Sequence, residues 1–172
     1  MGAEVTDNHD DHQRELEALL FHEAALLDSE AFEEWLELLD DQVRYFAPVR
    51  ATLPRGKEDF ARRELVAHFD DDKLGLSARI RRIRTGWAHA EEPPSRTRHF
   101  ITNVRVLAVD AANDEVQLAS NFIVFRSARD RDERTFYGTR EDTWRRTPRG
   151  WRLLNRLIIL DHNVIPAISV LF

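Results

Sequence analysis

The chain has 172 residues, of which 42% are hydrophobic, so it is long enough to close a core within one domain of ordinary size. Its 31 acidic and 25 basic residues give a formal net charge of −6, which argues against a nucleic-acid-binding or anionic-membrane surface. It contains no cysteine, which excludes disulfides and cysteine-ligated iron–sulfur clusters in this chain. No apolar run resembles a signal peptide or a membrane span, so we expect a cytoplasmic protein.

The pattern of apolar residues divides the chain into a short tail and one domain. Residues 1–13 are acidic and offer little to bury, which predicts a flexible N-terminal tail. Residues 14–172 are predicted to form a single α+β domain. Its helices fall mainly within residues 14–90, and an antiparallel meander is expected within residues 96–165.

Helical periodicity dominates the first part of the domain. Apolar positions recur at helical spacing over residues 16–27, and again over residues 32–39, with Asp28 and Ser29 as candidate N-caps for the second helix. A further helix is predicted from the spacing of Leu76, Ile80 and Ile83.

The segment between these helices is predicted to form a strand, a loop and a short helix. Residues 43–49 predict a strand, residues 50–58 a loop, and Asp59 a cap for a helix that runs to Phe69. The acidic run at residues 70–72 lacks the spacing of an EF-hand and is interpreted as charge at a helix start.

The second half alternates apolar and polar residues, which is typical of strands. Long strands are predicted over residues 93–109, 116–125, 135–144 and 151–160, joined by polar turns. Helices followed by a long antiparallel meander predict helices packed on one face of a strongly curved sheet. That arrangement resembles the cone of the nuclear transport factor 2-like (cystatin-like) fold.

Several charged residues lie in or beside these otherwise apolar strands and must be paired if they are buried. They form a candidate structural or interface network: Arg96, Arg98, His99, Arg140, Asp142, Arg156 and Asp161. Whether each pairs within the chain or against a partner is left open by the sequence.

A catalytic alternative uses two of the same residues. In a stand-alone isomerase or dehydratase of this fold, His99 would act as a base and Asp142 as its orienting carboxylate. That reading, like one of a small-molecule binding module, needs an open pocket. Bulky residues argue that the cone is filled instead: Phe122, Phe125, Phe136, Trp144 and Trp151.

The last residues of the sequence are too apolar for a free tail, and Pro166 prevents a simple continuation of the last strand. A groove within the chain is one possible cover. We predict instead a subunit contact, in a trimer of this chain, made by Ile168, Val170, Leu171 and Phe172.

Motifs along nearly the whole chain, read together, resemble one family. They are Phe21-His22-Glu23-Ala24, Tyr45-Phe46-Ala47-Pro48, Pro93-Pro94-Ser95-Arg96-Thr97-Arg98-His99 and Gly138-Thr139-Arg140-Glu141-Asp142. Their order resembles that of the small, beta subunit of bacterial aromatic-ring-hydroxylating dioxygenases. The run from Pro93 to His99 is the most specific piece.

The resemblance implies a hexamer of three large and three small chains that adds both atoms of O2 to an aromatic ring, giving a cis-dihydrodiol. The large chain would carry a Rieske [2Fe-2S] cluster and a mononuclear non-haem iron, supplied with electrons by a ferredoxin and its reductase. The small chain would be mainly structural. No catalytic, cofactor-binding or metal-binding residue is therefore expected in this chain.

Overall fold

A computed structural model describes residues 3–49, 67–84, 95–128, 132–162 and 170–172. The predicted loop at residues 50–58, most of the short helix predicted after Asp59, and Ile168 lie outside the described residues.

Helices and strands are largely segregated along the chain, as is typical of the α+β class. The elements are α1 (Ala3–Asp28), α2 (Phe32–Glu37), β1 (Leu39–Pro48), β2 (Ala67–Asp71), α3 (Lys73–Arg84), β3 (Arg96–Asp110), β4 (Glu115–Ala128), β5 (Asp132–Thr147) and β6 (Gly150–Leu160). None of the helices in these ranges is long and apolar enough to cross a membrane.

The strands form one six-stranded sheet in the order β2-β1-β6-β5-β4-β3. The predicted meander from β3 to β6 is confirmed, since each neighbouring pair is antiparallel. The sheet continues beyond this meander, because β1 pairs with β6 in parallel and with β2 in antiparallel orientation. Helix α1 packs on this sheet and contacts β3 most extensively.

Helix α1 differs from its prediction at both ends. It begins at Ala3, so the helix extends into the segment predicted as a tail, and the Gln13 side chain binds both Val104 O, at 2.7 Å, and Val106 N, at 2.9 Å. At the other end, Glu30 has a φ of 58°, and the amides of Glu30 and Ala31 donate to the carbonyls of Leu27 and Leu26. This is a Schellman ending, so Asp28 and Ser29 close α1 and do not cap α2.

Two other boundaries shift from helix to strand. Leu39 belongs to β1 and Phe69 to β2, although helical spacing assigned both to helices. Both side chains are buried in the core, and sheet pairing of their backbones overrides the local pattern. The acidic run behaves as predicted at its last residue, because Asp72 Oδ1 accepts the Gly75 N–H at the start of α3, at 2.8 Å.

A bulge in β6 sets which side chains face the core. Thr143 lies opposite Asn155 but Trp144 lies opposite Leu153, so β6 contains one extra residue. Because of this residue, both Leu153 and Arg156 point inward, and both are 0% exposed. The bulge therefore turns a charged side chain into the interior.

Candidate functional site

The interior of the cone contains a buried charge network, which begins with a carboxylate on the apolar face of α1. Glu23 follows Leu16 and Leu20 at helical spacing and is only 1% exposed. The indole Nε1 of Trp35 donates to its Oε1 at 3.1 Å. Its partners across the core come from the sheet.

Arg156 is the centre of the network. Its Nε and Nη2 donate to the two carboxylate oxygens of Asp142, each at 2.8 Å, and its Nη1 and Nη2 donate to the two oxygens of Glu23 at 2.7 and 2.8 Å. The guanidinium thus bridges two carboxylates in the fork geometry that arginine favours. Asp142 and Arg156 are direct neighbours across β5 and β6, and Tyr45 lies opposite Arg156 on β1.

Arg140 is the second cation and is held less tightly. It donates to Ser120 Oγ at 3.4 Å and to Glu23 Oε2 at 3.5 Å, both at the long end of the hydrogen-bond range. Its Nη2 is buried and has no hydrogen-bond partner within the described ranges. Two carboxylates and two guanidiniums make the network neutral overall.

The pKa values of these groups follow from burial opposed by charge pairing. Burial raises the pKa of the Glu23 carboxyl, but Arg156 and Arg140, with hydrogen bonds from Arg156 and Trp35, outweigh it and leave the pKa below its ordinary value. Burial also lowers the pKa of Arg156, yet Asp142 and Glu23 reverse this and hold it above its ordinary value. Burial and the neighbouring charge of Arg156 lower the pKa of Arg140.

The last residue of the sequence completes the network. The Phe172 carbonyl oxygen accepts from Arg156 Nη1 at 2.9 Å and from the Tyr45 hydroxyl at 2.5 Å, and the Phe172 N–H donates to the same hydroxyl at 2.6 Å. Burial raises the pKa of the Tyr45 hydroxyl to about 12, so it stays protonated and able to donate.

His99 anchors Leu171, the residue before Phe172. Its Nδ1 lies 2.6 Å from Asp28 Oδ1 and its Nε2 lies 2.9 Å from the Leu171 carbonyl oxygen. Asp28 also accepts the His99 backbone N–H, at 3.0 and 3.1 Å from its two oxygens. His99 therefore ties the end of α1 and the last residues of the sequence to β3.

The predicted network is divided by the structure. Arg140, Asp142 and Arg156 meet in one buried cluster, while His99 joins a separate one with Asp28. Arg98 belongs to the edge of that second cluster, since its side chain is 65% exposed and its Nη1 lies 3.5 Å from Asp28 Oδ2. Arg96 and Asp161 are exposed.

The proposed His99–Asp142 dyad is not formed. The ring nitrogens of His99 face Asp28 and Leu171, and both carboxylate oxygens of Asp142 bind Arg156. His99 therefore has no hydrogen bond to Asp142; Asp28 orients its ring instead, and the Leu171 carbonyl oxygen occupies its Nε2. Of the five bulky residues predicted to fill the interior, Phe122, Phe136, Trp144 and Trp151 are buried, whereas Phe125 is only half-buried.

The predicted subunit-contact tail is largely covered by the chain itself. Val170, Leu171 and Phe172 are 5%, 4% and 0% exposed within the single chain, so the chain itself covers them. A contact with another subunit is not needed to bury these three residues. Ile168, the fourth member of the predicted tail, lies outside the described residues.

Sequence reasoning missed three partners: Glu23, Asp28 and Tyr45. The signal for Glu23 was present, because it occupies an apolar-face position of α1 between Leu20 and Leu27. An acidic side chain at such a position needs a buried cation. No local pattern identifies that cation as Arg156, which lies 133 residues away.

The donor set does not fit the iron groups that the resemblance implies for the large chain. A Rieske centre uses two cysteines, and this sequence has none. Among the described residues, no three His, Asp or Glu side chains are grouped so that they could hold a metal ion.

Comparisons with known proteins agree on one family. The model of the ring hydroxylating beta subunit family matches residues 22–167. The benzene 1,2-dioxygenase subunit beta of Pseudomonas putida strain F1 is 36% identical over 164 residues, which cover 93% of this chain and 87% of that protein.

Solved structures support the same assignment. A chain of naphthalene 1,2-dioxygenase with indole bound superposes with a TM-score of 0.82 at 26% identity, covering 94% of this chain and 86% of that one. An NTF2-like protein with a cystatin-like fold from Novosphingobium aromaticivorans matches with a TM-score of 0.61 at 20% identity, over 95% of this chain and 91% of that one, which confirms the predicted fold. The chain belongs to the ring hydroxylating beta subunit family and is the beta subunit of an aromatic-ring-hydroxylating dioxygenase.

Proposed function

We propose that this chain is a structural and assembly subunit that contributes no active-site residue. It would join a large subunit carrying a Rieske [2Fe-2S] cluster and a mononuclear non-haem iron, as three large and three small chains. Electrons would reach that large subunit through a ferredoxin and a reductase. The complex would add both atoms of O2 to an aromatic ring and give a cis-dihydrodiol.

The observation that carries this proposal is the closed state of the interior. Where an enzyme of this fold would need a cavity with free acid or base groups, Glu23, Asp142 and Arg156 are bound to one another and to Phe172. A buried carboxylate that is ion-paired with a guanidinium is poorly poised to accept a substrate proton. The isomerase or dehydratase alternative lacks its dyad and is not favoured.

Co-purification tests the assembly role. The chain should be expressed with a tagged iron–sulfur large subunit from the same operon, purified through that tag, and analysed by size and subunit ratio. We expect equal amounts of both chains in a particle of three plus three. A large subunit that assembles and oxidises its substrate at the full rate without this chain would refute the proposal.

Iron content tests the non-catalytic role. The chain purified alone should show no cluster absorbance, because it has no cysteine, and no stoichiometric iron, because no three His, Asp or Glu side chains of the described residues are grouped to hold a metal ion. Iron analysis of the separate chain and of the complex should therefore assign all iron to the large subunit. Tightly held iron at one equivalent in the separate chain would contradict this.

A further inference from the structure

The residue Phe172 occupies the interior as a ligand occupies a pocket. Its side chain is fully buried, and its ring centroid lies 5.4 Å from those of Phe122 and Phe136 and 6.1 Å from that of Phe69. Two of these contacts are edge-on and one is tilted, arrangements that aromatic rings favour over a face-to-face stack. Three different strands thus supply an aromatic enclosure for one ring.

The polar part of Phe172 is recognised as completely as its ring. Tyr45 binds both its N–H and its carbonyl oxygen through one hydroxyl, and Arg156 binds the carbonyl oxygen as well. Both side chains are fully buried, and Arg156 is itself fixed by Glu23 and Asp142. The groups that bind Phe172 are therefore held in place by contacts that do not involve Phe172.

We propose that Tyr45, Phe69, Phe122, Phe136 and Arg156 form a binding site for an aryl group that carries an N–H group and a carbonyl or carboxylate oxygen. In this chain the occupant is its own Phe172, which closes the site to free ligands. The required chemistry is that of an N-acylated aromatic amino acid or of a phenylalanine in a peptide.

The test removes the occupant and supplies its equivalent as a separate molecule. A chain lacking only Phe172 is titrated with N-acetyl-L-phenylalaninamide, and binding is followed by the unfolding midpoint and by calorimetry. We expect the midpoint to rise with this probe and not with N-acetyl-L-alaninamide, which has the same amide groups but no ring. The full-length chain, whose site is filled, is expected to respond to neither probe.

A second substitution distinguishes binding through the Tyr45 hydroxyl from nonspecific binding in an apolar cavity. In the chain lacking Phe172, Tyr45→Phe should weaken binding of N-acetyl-L-phenylalaninamide about tenfold, because the hydroxyl bonds are lost while the aromatic walls remain. Equal affinity with and without the hydroxyl, or an equal response to the alanine probe, would overturn the proposal.

A variant with an intact backbone covers the case in which the shortened chain does not fold. Phe172→Ala keeps the N–H and C=O contacts and vacates only the ring position, so toluene becomes the probe. If either variant is unfolded alone, recovery of the native circular dichroism spectrum on adding its probe is the expected result. Absence of any probe response in both variants overturns the proposal and leaves the proposed function untouched, because no measurement involves the large subunit.

Discussion

At the scale of single residues, burial decides which charges matter. Asp142 and Arg156 have 0% side-chain exposure and bind each other through two hydrogen bonds, whereas Arg98 is 65% exposed and only approaches Asp28. Both Arg98 and Asp142 were candidates for the same network on sequence grounds. Their environments predict very different consequences of substitution.

Asp142→Ala should destabilise the fold by about 3–5 kcal/mol, because it leaves the buried Arg156 without one of its two carboxylates. Arg98→Ala is the matched control and should cost no more than about 1 kcal/mol, as is usual for an exposed ion pair. Urea unfolding of the two variants measures the difference. Similar losses in both would mean that burial does not set the importance of these charges.

Gly138→Ala should also destabilise, for a steric reason. A Cβ at Gly138 would lie 2.3 Å from the Ile159 carbonyl oxygen and 2.8 Å from the ring of Phe122, its cross-strand neighbour. Overpacking of this kind typically lowers the free energy of unfolding by about 1–3 kcal/mol. Gly75→Ala is the control, since its new methyl group would come no closer than 3.0 Å to its neighbours, the nearest being an Asp71 carboxylate oxygen. A Gly138→Ala midpoint equal to that of Gly75→Ala would contradict the prediction.

At the scale of elements, the last three residues behave as part of the core. Val170, Leu171 and Phe172 lie outside the strands, yet all three are buried. The backbone atoms of Leu171 and Phe172 bind side chains of β1, β3 and β6. The apolar character of this segment was readable from the sequence. Its position inside the cone was not, because cover by the same chain and cover by a neighbour require the same residues.

A chain shortened after residue 169 should therefore be less stable, not merely less associated. Burial of each lost apolar side chain stabilises by about 1.5–3 kcal/mol, and Tyr45, His99 and Arg156 would each lose a partner. Urea unfolding and size measurements on the same samples separate the two effects. Unchanged stability with weakened association would restore the interpretation of the segment as a subunit contact.

At the scale of the whole molecule, the neutral interior network links stability to pH. The pKa of Glu23 is below its ordinary value of 4.5 in the folded chain, so the unfolded chain takes up the proton first as the pH falls. The contribution of Glu23 to stability is complete above pH 4.5 and decreases below it, through the lowered folded pKa.

Glu23→Gln should lower the free energy of unfolding at neutral pH and flatten its decline below about pH 4.5 relative to the unsubstituted chain. Unfolding measured from pH 7 to pH 3 tests both parts. Glu141→Gln, an exposed position on β5, is the control and should leave the profile nearly unchanged. A Glu23→Gln profile parallel to that of the unsubstituted chain would exclude Glu23 as the titrating group.

The sequence by itself determined the class of the fold, the four-stranded meander and the family, because alternation, helical spacing and motif order are local signals. Helix α3 and the strands β3 to β6 follow the predicted periodicity closely. What only the tertiary structure decided is which charges meet. A bulge in β6 turns Arg156 inward, the curved sheet brings it under Glu23 of α1, and Phe172 occupies the remaining space. These contacts join residues up to 133 positions apart, and such pairings depend on the packing of whole elements rather than on any local pattern.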